Sequence, residues 1–394
     1  MSVRVPVKPE LLEWACERSG VDAAALTKKF PKIEEWLSGE LHPTFKQTQD
    51  FARATRTPIG YLFLETPPAE SVPIPDFRTV ESARVRRPSP NLLDTIYLCQ
   101  QRQDWYRQYA QIAGEEPIGF IGSASTESEV VPVAAEIRRT LNLNTNDLSA
   151  ASDMEGAIRV ILDKADEAGV LIMVSGVVGN NTHRPLDPGE FRGFALADSF
   201  APLVFVNGAD TKAGQMFTLA HELAHLWLGE SGVSDMTTAS QPRAAVEKWC
   251  NAVAAETLVP LKEFKVALSP DEDLWQATNR LARRFRVSTL VILRRMKDAG
   301  RLSAAEHAQA FEEESDRLRR IMRAKKEKGG GGDYYLTANR RLSERFARAV
   351  IASTWEGRST FTEAFRLLGC RNVKTLESMG ARYGMADYIA GGAV

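Results

Sequence analysis

The chain has 394 residues, 44% hydrophobic and 26% charged, which is more than one ordinary domain with the balance of a globular protein. A formal net charge of −1 excludes a global field for nucleic acid or membrane, so any such contact must come from a local patch. Cys16, Cys99, Cys250 and Cys370 are too scattered for a disulfide framework or a CxxC site, and no apolar run has the length of a membrane span. The expectation is a cytoplasmic protein.

Residues 1–66 read as short helices at 10–18, 22–29, 32–37, 45–54 and 59–64, punctuated by Gly20, Pro31, Gly39, Pro43 and Pro58. This is the cadence of a repressor-type helix-turn-helix. Nine Lys or Arg balance nine Asp or Glu here, so the phosphate-neutralising footprint of a DNA reader is missing. A helical bundle that contacts protein is the competing reading. Prolines at 67, 68, 73, 75, 88 and 90 then mark an extended linker, followed by a long helix over 91–113. Its Trp105, Tyr106 and Tyr109 lie at helical spacing, the pattern of a core stripe before that of a base-stacking platform. Residues 67–129 are taken as linker and helix.

A larger domain spans 130–328. It opens with helices at 133–143 and 154–168, then apolar strands at 168–176, 190–198 and 202–208 bounded by Gly, Asn and Asp. The polar loop GNNTHRPLDPG between the first two carries His183, which could steady an oxyanion or a substrate beside a metal cleft. The last strand leads directly into the next helix, an order that can lay a peptide along an edge strand.

That next helix carries FTLAHELAHLWLG. His221 and His225 are four apart, so on a helix they share one face and can hold one metal ion, with Glu222 beside them as a base for a bound water. Asp210 and Thr211 supply the N-cap and Gly229 the stop. A catalytic zinc site needs a third protein ligand and an open position. The following helix offers Glu247 and Glu256, nine residues and about 180° apart, so only one can face the metal. Glu247 is preferred because Asn251, one turn along, could hydrogen-bond a ligating histidine. Glu256 is then a solvated or salt-bridged surface residue.

Helices follow at 272–285 and 288–299, where Arg283, Arg284, Arg286, Arg294 and Arg295 alternate with apolar residues as a solvated face would. A charged helix over 316–328 runs into four glycines at 329–332, a flexible hinge, and residues 329–394 form a helical module. Over 316–348, eleven Lys or Arg face four Asp or Glu. Arg317, Arg319, Arg320, Arg323, Lys325, Lys326, Arg340 and Arg341 are therefore the nucleic-acid candidates. The competing reading is a tail that contacts the preceding domain or a second copy of the chain.

FRGFALADSFAPLVFVNGADTKAGQMFTLAHELAHLWLG followed by EKWCNAVAAETLVP resembles the ImmA/IrrE group of zinc metallopeptidases, bacterial and phage regulators that act on transcriptional repressors. The likeness covers about 169–260. PIPDFRT at 73–79 and the helix-turn-helix-like start resemble members that fuse an XRE-type module to the peptidase. The resemblance implies Glu247 as third ligand, since it opens the EKWCN segment. It also implies PKIEEWLSG as the reading helix, although Glu34 and Glu35 stand where a DNA reader usually presents Arg, Gln or Asn. The expected fold is α+β and mostly helical, a zincin-like domain with a small sheet flanked by helical modules. The expected function is a Zn2+-dependent regulatory endopeptidase whose substrate is a repressor, antitoxin or toxin-like partner. The alternative is a DNA-binding regulator or antitoxin that keeps the fold for structure or sensing.

Overall fold

The computed structural model describes residues 3–75, 88–234, 244–269, 271–327 and 342–391. The fold is α+β and mostly helical, with one four-stranded mixed sheet among the described residues. Contacts divide the chain into two units, Met1–Pro73 with Ala83–Tyr97, and Ile74–Ser82 with Leu98–Val394.

In the first unit, α1 (Pro9–Ser19), α2 (Ala23–Lys29), α3 (Ile33–Leu37), α4 (Phe45–Ala54) and a 3-10 turn (Ile59–Phe63) enclose a small core. Leu11, Leu12, Trp36, Phe51 and Leu62 are fully buried, and Phe30, Trp36 and Phe51 meet edge to face or tilted at 5.7–6.4 Å. Thr44 and Gln47 cap α4 reciprocally, satisfying two orphan N–H groups. Buried Arg18 donates to both carboxylate oxygens of Glu70 at 2.5 and 2.7 Å. The expected reading helix is a single turn with Glu34 exposed.

In the second unit, β1 (Leu171–Ser175), β2 (Gly193–Leu196), β3 (Leu203–Asn207) and β4 (Gly232–Ser234) are ordered β1-β3-β2-β4. β1 pairs parallel with β3, and β2 pairs antiparallel with both β3 and β4. The strand feeding the motif helix is thus not itself an edge along which a peptide could lie. β3 is central and the edges are β1 and β4, although LIMVS of β1 is as fully buried as LVFVN of β3. β4 was not foreseen: three residues after a helix stop leave no alternating pattern to read.

α5 (Pro90–Ala113) begins within the first unit's residues and ends in the second's. α6 (Val130–Thr140), α7 (Thr145–Ser149) and α8 (Met154–Glu167) precede the sheet. α9 (Lys212–Leu228) carries the motif, and α10 (Ala244–Leu258), α11 (Leu261–Ala267), α12 (Leu274–Phe285), α13 (Thr289–Asp298) and α14 (Ala304–Glu327) follow it. Ile158, Ile161, Val204, Val206, Leu219 and Leu223 form the centre of the core between α8, the sheet and α9.

The carboxy-terminal helices α15 (Glu344–Trp355), α16 (Phe361–Leu368), α17 (Val373–Arg382) and α18 (Ala386–Gly391) pack on this same unit. Phe346 is fully buried against Trp105 and Tyr106, so the aromatic stripe of α5 is core. Asp166 of α8 accepts from Ser343 Oγ and the Arg345 N–H at the start of α15. Burial raises the Asp166 carboxyl above its usual range, with these hydrogen bonds opposing. Buried Arg102 donates to the Leu367 carbonyl at 2.9 Å, at the carboxy end of α16 where a cation is favoured. The glycine hinge at 329–332 lies outside the described residues.

Candidate metal centre

The strand-to-helix turn that aims α9 is fixed at both ends. Thr211 Oγ1 accepts from the Gly214 N–H, and the buried Gln215 amide donates to the carbonyls of Gly208 and Asp210 at 3.0 and 2.7 Å. At the other end Gly229 has φ 69°, the left-handed stop. The last-turn carbonyls of Leu226 and Trp227 accept from Gly122 and Ala124, and Phe120 stacks on Trp227 at 4.2 Å. Residues 118–124 thus clamp the helix, a role invisible in a stretch that read as linker. The clamp leaves room only for glycine at 229, since a Cβ there would lie 3.0 Å from the Gly122 Cα.

His221, His225 and Glu247 converge. His221 Nε2 is 3.2 Å from His225 Nε2 and 3.1 Å from Glu247 Oε2, and His225 Nε2 is 3.2 Å from Glu247 Oε1. All three are buried, and their donor atoms form a group that could hold a metal ion. The fit can be tested by spacing: donors about 2.0–2.1 Å from a tetrahedral zinc stand about 3.3–3.4 Å apart, close to these separations. It can also be tested by proton count. His221 Nδ1 lies 3.1 Å from Asn251 Oδ1, so Nδ1–H donates and Nε2 turns its lone pair toward a carboxylate and a second imidazole. Converging lone pairs at such distances call for a shared cation. The electrostatics agree, because burial works to raise Glu247, yet the histidines bring it down to about 2. Burial pushes His221 down, but Glu247 outweighs it and holds that imidazole above its ordinary value; burial prevails at His225, which is lowered.

Glu222 is fully buried next to His221, and its charge contributes to holding that imidazole up. Gly193, the first residue of β2, is pressed against it: a Cβ at Gly193 would meet Glu222 Oε1 at 3.1 Å, the Phe205 carbonyl at 2.8 Å and Thr218 Cγ2 at 2.5 Å. The sequence reading passed over Gly193, although a glycine inside a strand is itself a signal of close approach.

The other candidates separate. Asn251 bonds His221, as described. Glu256 is not a surface residue: it is 7% exposed, accepts from the Leu261 N–H at 3.1 Å, and pairs with Arg295 Nη2 at 2.5 Å. The solvated-face reading fails at Arg295 too, which is 4% exposed and also donates to the Val259 carbonyl and to Asp298. Glu256 and Arg295 are buried together, each answering the other's charge. His183 is exposed in its loop, its N–H donating to Asn181 Oδ1, and none of its described contacts is to the cluster. Arg317 is engaged by Glu314 and Arg319 by Asp316, while Arg320 reaches the Asp316 carbonyl at 3.3 Å. Arg323, Lys325 and Lys326 lie on α14 without described side chains, and Arg340 and Arg341 lie outside the described residues.

No helix among the described residues is long and apolar enough to cross a membrane. No curated protein matches the chain. A family model for a domain of unknown function, DUF8813, matches residues 342–382, which begin two residues before α15 and end with α17. The family model described as the IrrE N-terminal-like domain, of the peptidase M78 family, matches residues 165–297, which hold the sheet, the motif helix and all three converging donors. Those residues are similar to a domain of metallopeptidase type.

Proposed function

We propose that this protein is a Zn2+-dependent regulatory endopeptidase that hydrolyses a partner protein, a repressor or an antitoxin- or toxin-like regulator. The observation that carries the reading is the buried convergence of His221, His225 and Glu247 with Glu222 beside them on α9. The three donors would hold the ion. A bound zinc supplies a Lewis acid that polarises a scissile carbonyl and makes water a usable nucleophile. Glu222 takes the proton from the attacking water and returns it to the leaving amine. Asn251 keeps His221 in the tautomer whose Nε2 faces the ion. The helical units at either end of the chain would supply partner recognition, with a second copy of the chain or DNA as further partners.

The test is to incubate the purified, zinc-loaded protein with the product of the neighbouring gene, with and without chelator. The expected result is a discrete cut that chelator abolishes and that Glu222→Gln lacks. Persistence of the cut in Glu222→Gln would refute the mechanism, and an intact partner would refute the substrate class.

A further inference from the structure

We propose that the cavity beyond the open edge of β1 is a second binding site, one that takes an extended peptide segment whose residues alternate between basic and apolar. The proposal goes beyond the peptidase reading and does not rest on it.

The cavity measures about 860 Å³, within the range of about 300–1,000 Å³ usual for ligand sites, and is walled in part by Ala349 and Ala352 of α15. Another wall is the edge of the sheet. The Leu171 N–H donates to the Pro202 carbonyl and the Ser175 carbonyl accepts from the Gly208 N–H, so alternate residues of β1 turn their backbone toward β3. Ile172 and Val174 turn theirs away, and these are the residues of β1 that line the cavity. Outside the ladder with β3, no described hydrogen bond reaches their N–H or carbonyl groups, although both residues are buried. Four backbone groups in a covered slot call for partners, and an added strand brings donors and acceptors at the matching spacing.

The walls set the chemistry of the occupant. Ile172 and Val174 pack with Ile158 and Ile161 of α8 on one face of the sheet, whereas Met173 meets Arg102 of α5 on the other. A strand added to β1 would therefore turn alternate side chains toward α8 and toward α5. The α8 wall carries Asp163 and Glu167, one turn apart, both exposed and in no ion pair among the described residues. Burial raises the Asp163 carboxyl against the pull of Arg159, and the charge of Glu167 adds to the rise. The arginines across the cavity are already answered, Arg345 by Glu115 at 2.7 Å and Arg348 by the Tyr383 carbonyl at 3.0 Å. Lysine or arginine side chains suit this wall. The α5 wall offers Tyr106 and Tyr109, whose rings suit apolar side chains.

The test uses the full-length, zinc-loaded protein in a Glu222→Gln background, so that the probe survives. The probe is a short fluorescein-labelled peptide of alternating Lys and Val, its control a peptide of alternating Glu and Val, and binding is read by anisotropy. The lysine peptide should bind at least about tenfold more tightly than the glutamate peptide, and it should slow amide exchange at Ile172 and Val174. N-methylation along its backbone should weaken binding about tenfold, because the donors that pair with the edge are lost. Ala352→Trp, which fills the slot from a half-buried position, should do the same. Asp163→Asn combined with Glu167→Gln alters only exposed side chains and should narrow the preference for lysine to about threefold or less. Zinc content and melting temperature check that each variant folds. Equal binding of the two peptides would overturn the proposal. So would binding that leaves exchange at Ile172 and Val174 unchanged, since the peptide then sits elsewhere, or that tolerates N-methylation, since charge alone then holds it. Should Ala352→Trp fail to fold, the exposed double variant decides, and an undiminished preference for lysine overturns the site. Cleavage of a partner protein by the parent, or its absence, bears on the peptidase reading alone.

Discussion

Glu247 and Glu256 stand at opposite ends of α10, 3% and 7% exposed, and meet different chemistry. At the far end Glu256 finds Arg295, a backbone N–H and a closed network; its charge is answered by the protein. At the near end Glu247 finds two imidazole nitrogens at 3.1 and 3.2 Å, and nothing of fixed positive charge is among its described contacts. A buried carboxylate with an arginine is architecture. A buried carboxylate facing imidazoles lacks a cation, and burial alone does not tell the two apart.

The largest expected effect sharpens that contrast at the near end. His221→Ala or Glu247→Ala should bring zinc from about one equivalent to near none, because two donors rarely hold what three do. Metal analysis after dialysis reads it directly, and a full equivalent in either variant would break the comparison. Next, Glu222→Gln should keep its zinc while losing about 10²–10⁴-fold in kcat on the partner protein, the range of a general base.

At the far end the expected loss is of stability. Arg295→Met leaves Glu256 charged and buried without its partner, which should cost about 3–5 kcal/mol in urea unfolding, with metal content unchanged. Adding Glu256→Leu should recover part of that cost, since two apolar groups need no counter-charge; the Leu261 N–H that Glu256 also serves limits the recovery. Loss of zinc in Arg295→Met would show that the two ends are not independent.

The near end was legible in the sequence and the far end was not, for a physical reason. The near end is local: His221 and His225 share a helix turn, and the face of Glu247 follows from 100° per residue. Arg295 meets Glu256 across 39 residues and two intervening helices, and no periodicity encodes that. The same limit hid Ser343 from Asp166, 177 residues away, and Gly122 from the end of α9. β3 is legible as a strand but not as a central one, because a fully apolar run reports burial on both faces and says nothing about neighbours. Gly193 left a signal that went unread: a strand interior has no need of glycine unless something approaches it, and here that is Glu222.

The smallest effect tests whether the near end is tuned as well as assembled. Asn251 meets the far nitrogen of His221, at 3.1 Å, and is not one of the three converging donors, so its influence on metal binding runs through that ring's tautomer and tilt. Asn251→Ala frees the ring to place its proton on Nε2, where it competes with the ion. It should weaken zinc affinity about 10–100-fold without removing the site, as measured by competition with a calibrated chelator. Asn251→Asp should restore most of the affinity, since a carboxylate accepts the Nδ1–H at least as well as the amide oxygen does. If alanine and aspartate bound zinc alike, orientation of His221 would come from packing within α9, and the distinction between the two ends would rest on the three ligands alone.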